Sequence, residues 1–504
     1  SRSIPSFPSF PRFFAAGAKK LAMAGEAPQL DIFFLPLMYQ GHCIPTADMA
    51  RMFATRGVTA TVVTTPAAAA SFQPAVDWAA RCGKHLRLLL LPSSPSPEEG
   101  CENHASVPGA ALREPFRRLL QQGQPPACVV FDAFFPWAAD AAREVGALAL
   151  AFTGSSSFAT CAYTAVYRHV PPRESLRAES VVVPGIPHRI ELLRTQLSDM
   201  SAPGIADIVG SIVESVTGSD GVVANSFHEL EPDYVAYHRD VLGRRAWHLG
   251  PVSLYGADDD KTCRGGTAGA VDSASCLRWL DGKNAHSVVY VCFGTMTQHT
   301  AAQLREIAVG LEGASRPFVW VCHGGALEWL PEGFAERTAG WGLLMTGWAP
   351  QEAILEHGAV GGFVTHCGWN SCLEAIAAGV PMVTWPLAAE QFYNEKLVTE
   401  VLKVGAALGS KTWTMKEEER ELIAGEEIRK AVARVMGDGE EAAGMRRRVG
   451  ELAAMARKAT QEGGSSYADV GRLIGELSTR VSGQRCGDHR RSSGAPTART
   501  DTTM

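Results

Sequence analysis

The sequence predicts an α/β protein built from two successive doubly wound units, each a parallel sheet covered on both faces, that face one another across a cleft. Three observations carry this. From Asp31 onward, short and near-continuously apolar runs alternate with helical segments, the pattern of parallel strands buried on both sides. The alternation stops over residues 255–272 (YGADDDKTCRGGTAGAVD), a Gly- and Asp-rich stretch without apolar periodicity that suits a linker, and then restarts. With 504 residues, 46% apolar and 20% charged, the chain has the length and composition for two globular domains.

The elements follow in order. DIFFLPL reads as the first buried strand. Pro45 then opens a helix, PTADMARMFATR, that Gly57 closes, which places His42 in the loop before it. The strands VTATVVTT, LRLLLLP, ACVVFD, ALALAFTG, GVVANSF and WHLGPV come next, with helices such as FPWAADAAREVG between several of them. After the linker come SVVYVCFGT, PFVWVC, GLLMTGW, GGFVTH and PMVTWP, and helical segments from Lys416 to about Arg480 finish the fold. The domains are therefore expected at 23–254 and 273–480. Residues 1–22, rich in Ser, Pro, Phe and basic residues, read as an extension before Met23, with a plastid transit peptide as the alternative. Residues 481–504, nearly devoid of large apolar side chains, are expected to be disordered.

Several function classes drop out. A net charge of -6 exerts no global pull toward nucleic acid or an anionic membrane. No apolar run approaches the roughly 20 residues that span a bilayer. The twelve cysteines are scattered without a CxxC pair, which fits free thiols in a reducing compartment. A cytoplasmic monomer is expected, or a plastid one if the first residues are a transit peptide. No GxGxxG follows the first strand of either unit and no GxxxxGK[ST] occurs, which disfavours dinucleotide oxidoreductases and P-loop nucleotidases.

One segment has the residue types for a nucleotide sugar. In WAPQEAILEHGAVGGFVTHCGWNSCLEAIAAGVPMVTWPLAAEQ, the strand GGFVTH runs directly into the helix GWNSCLEAIAAG. Such a junction aims helix N–H groups and the positive dipole end at the sheet edge, where a phosphate is favoured. His366, Asn370 and Ser371 cluster there. Glu374 lies one turn beyond Asn370 on the same face, suited to ribose hydroxyls. Trp348 precedes a helix where its indole can stack on a base, and Glu390 and Gln391 follow the next strand. Each alone reads as core or as an ordinary helix-face residue; their joint spacing at one sheet edge is what points to a site.

The 44 residues from Trp348 to Gln391 resemble the signature box of plant family 1 UDP-glycosyltransferases nearly throughout, with WAPQ, HCGWNS, the Glu374 position and the closing acid–Gln pair. The resemblance extends from about Leu30 to Arg480. It implies the GT-B fold, two Rossmann-like domains around a central cleft. It implies UDP-glucose as donor substrate, no cofactor, and roles for individual residues. Trp348 stacks on uracil, with the Ala349 backbone and Gln351 at the base and ribose. Glu374 binds ribose; His366, Asn370 and Ser371 bind the diphosphate, with further contacts from Gly294 and Thr295. Glu390 and Gln391 bind the sugar, and Thr153 resembles a residue that bonds it. Many relatives have Ser at Thr295 and Asp at Glu390. Gln391 resembles the glucose-using members. Trp369 and Trp385 read mainly as packing, with the Trp369 backbone at the edge of the site.

Transfer to a hydroxyl needs a base with a pKa near neutrality, which favours His. His42 follows the first strand and Asp132 ends the strand ACVVFD, both at the sheet edge where ligands bind. An Asp there can orient a His, or equally cap the following helix. The family resemblance of GHCIP and FDA implies that His42 is the base and Asp132 its partner. Met38, Phe134, Phe135 and Phe158, with residues around Pro184 to Leu197, are candidates for the acceptor pocket, or equally core. The subgroup resembled glucosylates flavonoids, coumarins, triterpenoids and related compounds. Asp258–Asp260 has a DxD spacing but lies in the linker, and reads as a solvated loop; no metal is expected. The alternatives are a UDP-sugar epimerase on the same fold and a non-catalytic UDP-sugar-binding protein.

Overall fold

The computed structural model describes residues 30–92, 109–255, 264, 273–295, 297–322 and 325–492. The 1–22 segment, the Asp258–Asp260 triplet and residues 493–504 lie outside the described residues. Strands β1 (Asp31–Leu35), β2 (Thr59–Thr64), β3 (Leu86–Leu90), β4 (Cys128–Asp132) and β5 (Leu148–Phe152) come first. They are followed by β6 (Ser180–Val182), β7 (Glu191–Leu193), β8 (Gly221–Ala224) and β9 (Ala246–His248). The second half holds β10 (Val288–Cys292), β11 (Phe318–Cys322), β12 (Gly342–Thr346), β13 (Val360–Thr365), β14 (Met382–Thr384) and β15 (Gly405–Ala407).

The first sheet has the order β3-β2-β1-β4-β5-β8-β9 and the second β12-β11-β10-β13-β14-β15, with every pairing parallel. In each, the strand order reverses next to the first strand, at β1/β4 and at β10/β13. The loops leave to opposite sides there, and the crevice outside the carboxyl ends of those two strands is where ligands bind. Every predicted strand is present. Two features were not predicted: the antiparallel β6–β7 pair and β15. Each of these strands spans three residues, as do β9 and β14, which the sequence reading did find.

The first helix also differs from the sequence reading. It spans Gln40–Thr55, with Pro45 inside it, so His42 sits in its first turn rather than in a loop. Proline tolerates this position because the only bond it forfeits is to the Gly41 carbonyl. That oxygen accepts from Asn370 Nδ2 of the second domain at 2.7 Å instead.

The expected boundary at 480 is corrected as well. The last helix, Ser465–Ser492, runs well past it, into the stretch whose composition suggests disorder. It leaves the second domain and packs on the first. Val470, Leu473 and Leu477, at helical spacing, are buried with Ile32, Phe34, Phe53, Val62, Trp247 and Leu249. Ser466 Oγ donates to the Gly250 carbonyl at 2.6 Å, Asp469 accepts from the His248 N–H at 3.0 Å, and the Arg56 guanidinium lies 3.6 Å over the Tyr467 ring. Among the described residues no helix is long and apolar enough to cross a membrane.

Candidate active site

The two switch points supply the two halves of the site. Register pairs Leu35, the last residue of β1, with Phe131, so the chain leaving β1 and the end of β4 emerge side by side. His42 Nδ1 and Asp132 Oδ2 are 2.6 Å apart. Asp132 is 1% exposed, and its other oxygen accepts from the Phe134 N–H at 3.2 Å, which fixes the carboxylate. An ionised carboxylate only accepts, so Nδ1 carries the proton and Nε2 keeps a lone pair for a substrate hydroxyl. The Phe134 ring stands edge-on to the imidazole at 5.5 Å. The Thr153–Gly154 turn closes the other side: a Cβ on Gly154 would lie 3.3 Å from His42 Cε1.

Burial by itself would lower the His42 pKa, but the Asp132 carboxylate, its hydrogen bond and the more distant Glu390 outweigh it, so His42 stands above its usual value of 6.5. Glu390 comes from the second domain. Burial raises its pKa; backbone N–H groups, including that of Trp369, and His42 pull the other way. Asn394 Nδ2 donates to it at 3.2 Å, and Asn394 Oδ1 accepts from Ser156 of the first domain at 3.2 Å. His42, Asp132 and Glu390 therefore meet across the cleft.

In the second domain the turn after β13 passes through Cys367 at φ 66 and enters the helix Trp369–Ala378. His366 is buried, which drops its pKa to about 4, so it is a neutral imidazole. Its Nδ1 has no hydrogen-bond partner among the described residues. Gly294, in the turn after β10, has φ 73, and a Cβ there would come 2.8 Å from His366 Cε1, so only glycine lets the two loops approach. Gln351 Nε2 donates to Glu374 Oε2 at 2.8 Å and to Ser371 Oγ at 3.0 Å, linking three expected site residues. Ala349 starts the same turn, its carbonyl accepting from the Gln351 N–H at 2.8 Å. The Trp348 Nε1 is buried and also lacks a hydrogen-bond partner among the described residues. Thr295 is exposed beside Gly294. The Gln391 carbonyl oxygen accepts from Leu387 and Ala388 N–H at 2.9 and 3.0 Å, which leaves its amide nitrogen as the group a sugar hydroxyl can meet. Trp369 is 2% exposed and its Nε1 donates to the Asn225 carbonyl of the first domain at 2.8 Å, so its side chain joins the domains.

The acceptor candidates divide. Phe134 is half-buried against His42, and Met38 is half-buried with its sulfur accepting from Thr64 Oγ1 at 3.2 Å. Phe135 and Phe158 are corrected: both are 0% exposed. Phe135 packs against Trp137 at 5.6 Å, and Phe158 against Tyr234 at 5.0 Å. Neighbouring aromatic positions at a strand end point to opposite sides, so one of the pair Phe134–Phe135 faces the crevice and the other the core. Within Pro184–Leu197, Ile190, Leu192 and Leu197 are core, while Thr195 and Gln196 bond the Lys411 and Ser410 carbonyls of the second domain. Sequence reasoning did not single out Asp48, Glu352 or Arg264, which converge beside Glu374. Each by itself looks like a surface charge, and no spacing relates positions so far apart.

A scopoletin glucosyltransferase of Nicotiana tabacum is 45% identical over 473 residues, covering 90% of this chain and 98% of that one. This chain belongs to the UDP-glycosyltransferase family. The model of the family described as UDP-glucoronosyl and UDP-glucosyl transferase matches residues 264–436, the part that carries the second switch point. UGT73P12 of Glycyrrhiza uralensis, solved with glycyrrhetinic acid 3-O-monoglucuronide, superimposes with a TM-score of 0.84 at 36% identity, over 92% of this chain and 99% of that one. UGT71G1 of Medicago truncatula, solved with UDP-glucose, gives 0.78 at 26% identity, over 90% and 100%. The UDP-glycosyltransferase is thus a two-domain GT-B enzyme, and its segment Trp348–Gln391 occupies the face of the second domain that looks at His42.

Proposed function

We propose that this UDP-glycosyltransferase moves glucose from UDP-glucose to a hydroxyl of a small hydrophobic acceptor, such as a flavonoid, a coumarin, another phenolic or a terpenoid, with inversion to a β-glucoside. The observation that carries the reading is the His42–Asp132 pair at 2.6 Å, set in the first switch point and facing Glu390. His42 Nε2 takes the acceptor proton as the oxygen attacks the anomeric carbon from the side opposite the diphosphate. Asp132 stabilises the imidazolium that forms. The departing charge develops at the N-terminus of the helix Trp369–Ala378, where backbone N–H groups, Asn370, Ser371 and the Gly294–Thr295 turn supply preorganised donors. His366 is neutral and so contributes a single N–H hydrogen bond rather than charge. Glu390 and Gln391 hold sugar hydroxyls, with Thr153 on the opposite wall. A protein that only bound the nucleotide sugar would have no use for the base pair.

The test is a panel of phenolic, flavonoid and terpenoid acceptors with UDP-glucose, read by mass gain of one hexose. No gain with any acceptor, alongside intact UDP-glucose binding, would favour a binding protein. Because helix and side-chain donors meet the diphosphate in this reading, a chelator is expected to leave the rate unchanged; a rate restored by a divalent ion would refute that step.

Trp348 is assigned to the uracil ring. Trp348→Ala is expected to raise the KM for UDP-glucose by about tenfold, since base–aromatic stacking contributes about 1–3 kcal/mol. The acceptor KM should stay near its original value in the same steady-state measurement.

A further inference from the structure

Arg264 stands in the stretch between the domains, with its side chain 12% exposed, and three carboxylates surround it. Asp48, from the helix that carries His42, accepts from its Nη2 at 2.7 Å and from its Nε at 2.8 Å. Glu374 Oε1 accepts from Nη1, and Glu352 Oε2 lies 3.5 Å from the same nitrogen. Glu374 and Glu352 belong to the second domain, so this one guanidinium joins the linker and both domains. The other oxygen of Glu374 is held by Gln351 at 2.8 Å.

We propose that Arg264 is a positioning residue for the donor: it holds the Glu374 carboxylate aimed at the ribose, and it ties that carboxylate to the acceptor domain through Asp48. Burying a carboxylate as deeply as Glu374, 8% exposed, is costly unless it is paired and hydrogen-bonded. A protonated carboxyl offers a single strong acceptor oxygen where two ribose hydroxyls need an acceptor-only group. Arginine suits the task because its planar fork bonds several carboxylates at once. Burial alone would weaken its charge, but Asp48, Glu374 and Glu352 outweigh that, and its pKa stands above the ordinary value. The same helix that presents His42 in its first turn presents Asp48 two turns on. The ribose end of the donor and the catalytic base are thereby referred to one rigid element.

This inference rests on Glu374 being the ribose carboxylate, and the experiment separates the two. UDP affinity is measured by calorimetry, and UDP-glucose and acceptor KM by kinetics, for Arg264→Gln, Arg264→Lys, Asp48→Asn, Glu374→Gln and the Arg264→Gln/Glu374→Gln double variant, with thermal midpoints alongside. Arg264→Gln is expected to weaken UDP by about tenfold or more, the loss of a hydrogen bond to a charged group. It should raise the UDP-glucose KM in step and leave the acceptor KM within about twofold. Lysine should recover part of the loss, Asp48→Asn should weaken UDP less, and the double variant should be little worse than Glu374→Gln alone. UDP binding by Arg264→Gln that is unchanged or tighter, with Glu374→Gln weakened, overturns the inference and leaves the ribose assignment standing. So does a fall in the thermal midpoint alone. Unchanged UDP binding in Glu374→Gln overturns the ribose assignment itself. If Arg264→Gln does not fold, the lysine and Asp48→Asn variants decide between the same outcomes.

Discussion

His42→Ala is expected to lower kcat by about three to four orders of magnitude while UDP affinity stays within a few-fold, because general-base catalysis contributes about 10²- to 10⁴-fold and more where base and orienting acid act as a unit. The imidazole is the titratable group bonded to Asp132, and alanine in its place cannot accept the hydroxyl proton. Turnover unchanged from wild type would remove His42 from the mechanism. The pH profile of kcat/KM gives a second, independent reading. His42 acts as base only when Nε2 is unprotonated, so the rate climbs as pH rises through a pKa that Asp132 and Glu390 hold above the usual 6.5. Asp132→Asn deletes the largest raising influence. The acid limb should therefore move to lower pH, while the plateau falls because the imidazolium formed in the reaction has lost its counter-charge. Glu390→Gln should shift the limb in the same direction by less. A limb that moves to higher pH in Asp132→Asn would contradict this arrangement.

Removal of the last helix by truncation after Gly464 is expected to unfold the first domain. Val470, Leu473 and Leu477 are 0%, 0% and 1% exposed in its core. At about 1.5–3 kcal/mol for each buried aliphatic side chain, their loss approaches the whole stability of an ordinary domain, about 5–15 kcal/mol. Truncation also removes the partners of the Gly250 carbonyl and the His248 N–H. The measurement is near-ultraviolet circular dichroism with a thermal melt, and retention of a cooperative native transition would show the helix to be dispensable. Leu473→Ala is the milder version, expected to cost about 2–5 kcal/mol in a melt that remains cooperative.

Much of the fold was legible because its signals are local. Strands buried on both faces must be apolar throughout, and so β1 to β5 and β10 to β14 stand out as runs. What escaped were the β6–β7 pair, β15 and the first turn of the His42 helix. That turn is polar and is followed by a proline whose tolerance depends on a partner in the other domain: Asn370 takes the carbonyl that Pro45 leaves unpaired. The expected role of Asn370 at the diphosphate gave no sign of this contact. Phe135 and Phe158 were open between pocket and core because composition does not say which way a strand-end aromatic turns.

By itself, then, the sequence determined the architecture of two doubly wound sheets, the nucleotide-sugar box and the pair His42 and Asp132, all of which depend on short-range spacing and on which strand ends meet at a sheet edge. Only the tertiary structure decided how the halves are joined. Asp48, Arg264, Glu352 and Glu374 come from four separate stretches and meet because burial forces each charge to find a partner. The helix Ser465–Ser492 returns to the first domain because its apolar face, which any core could have taken, fits the one formed by β1, β2 and β9. Neither outcome is encoded at any single position; both follow from the packing of the whole chain.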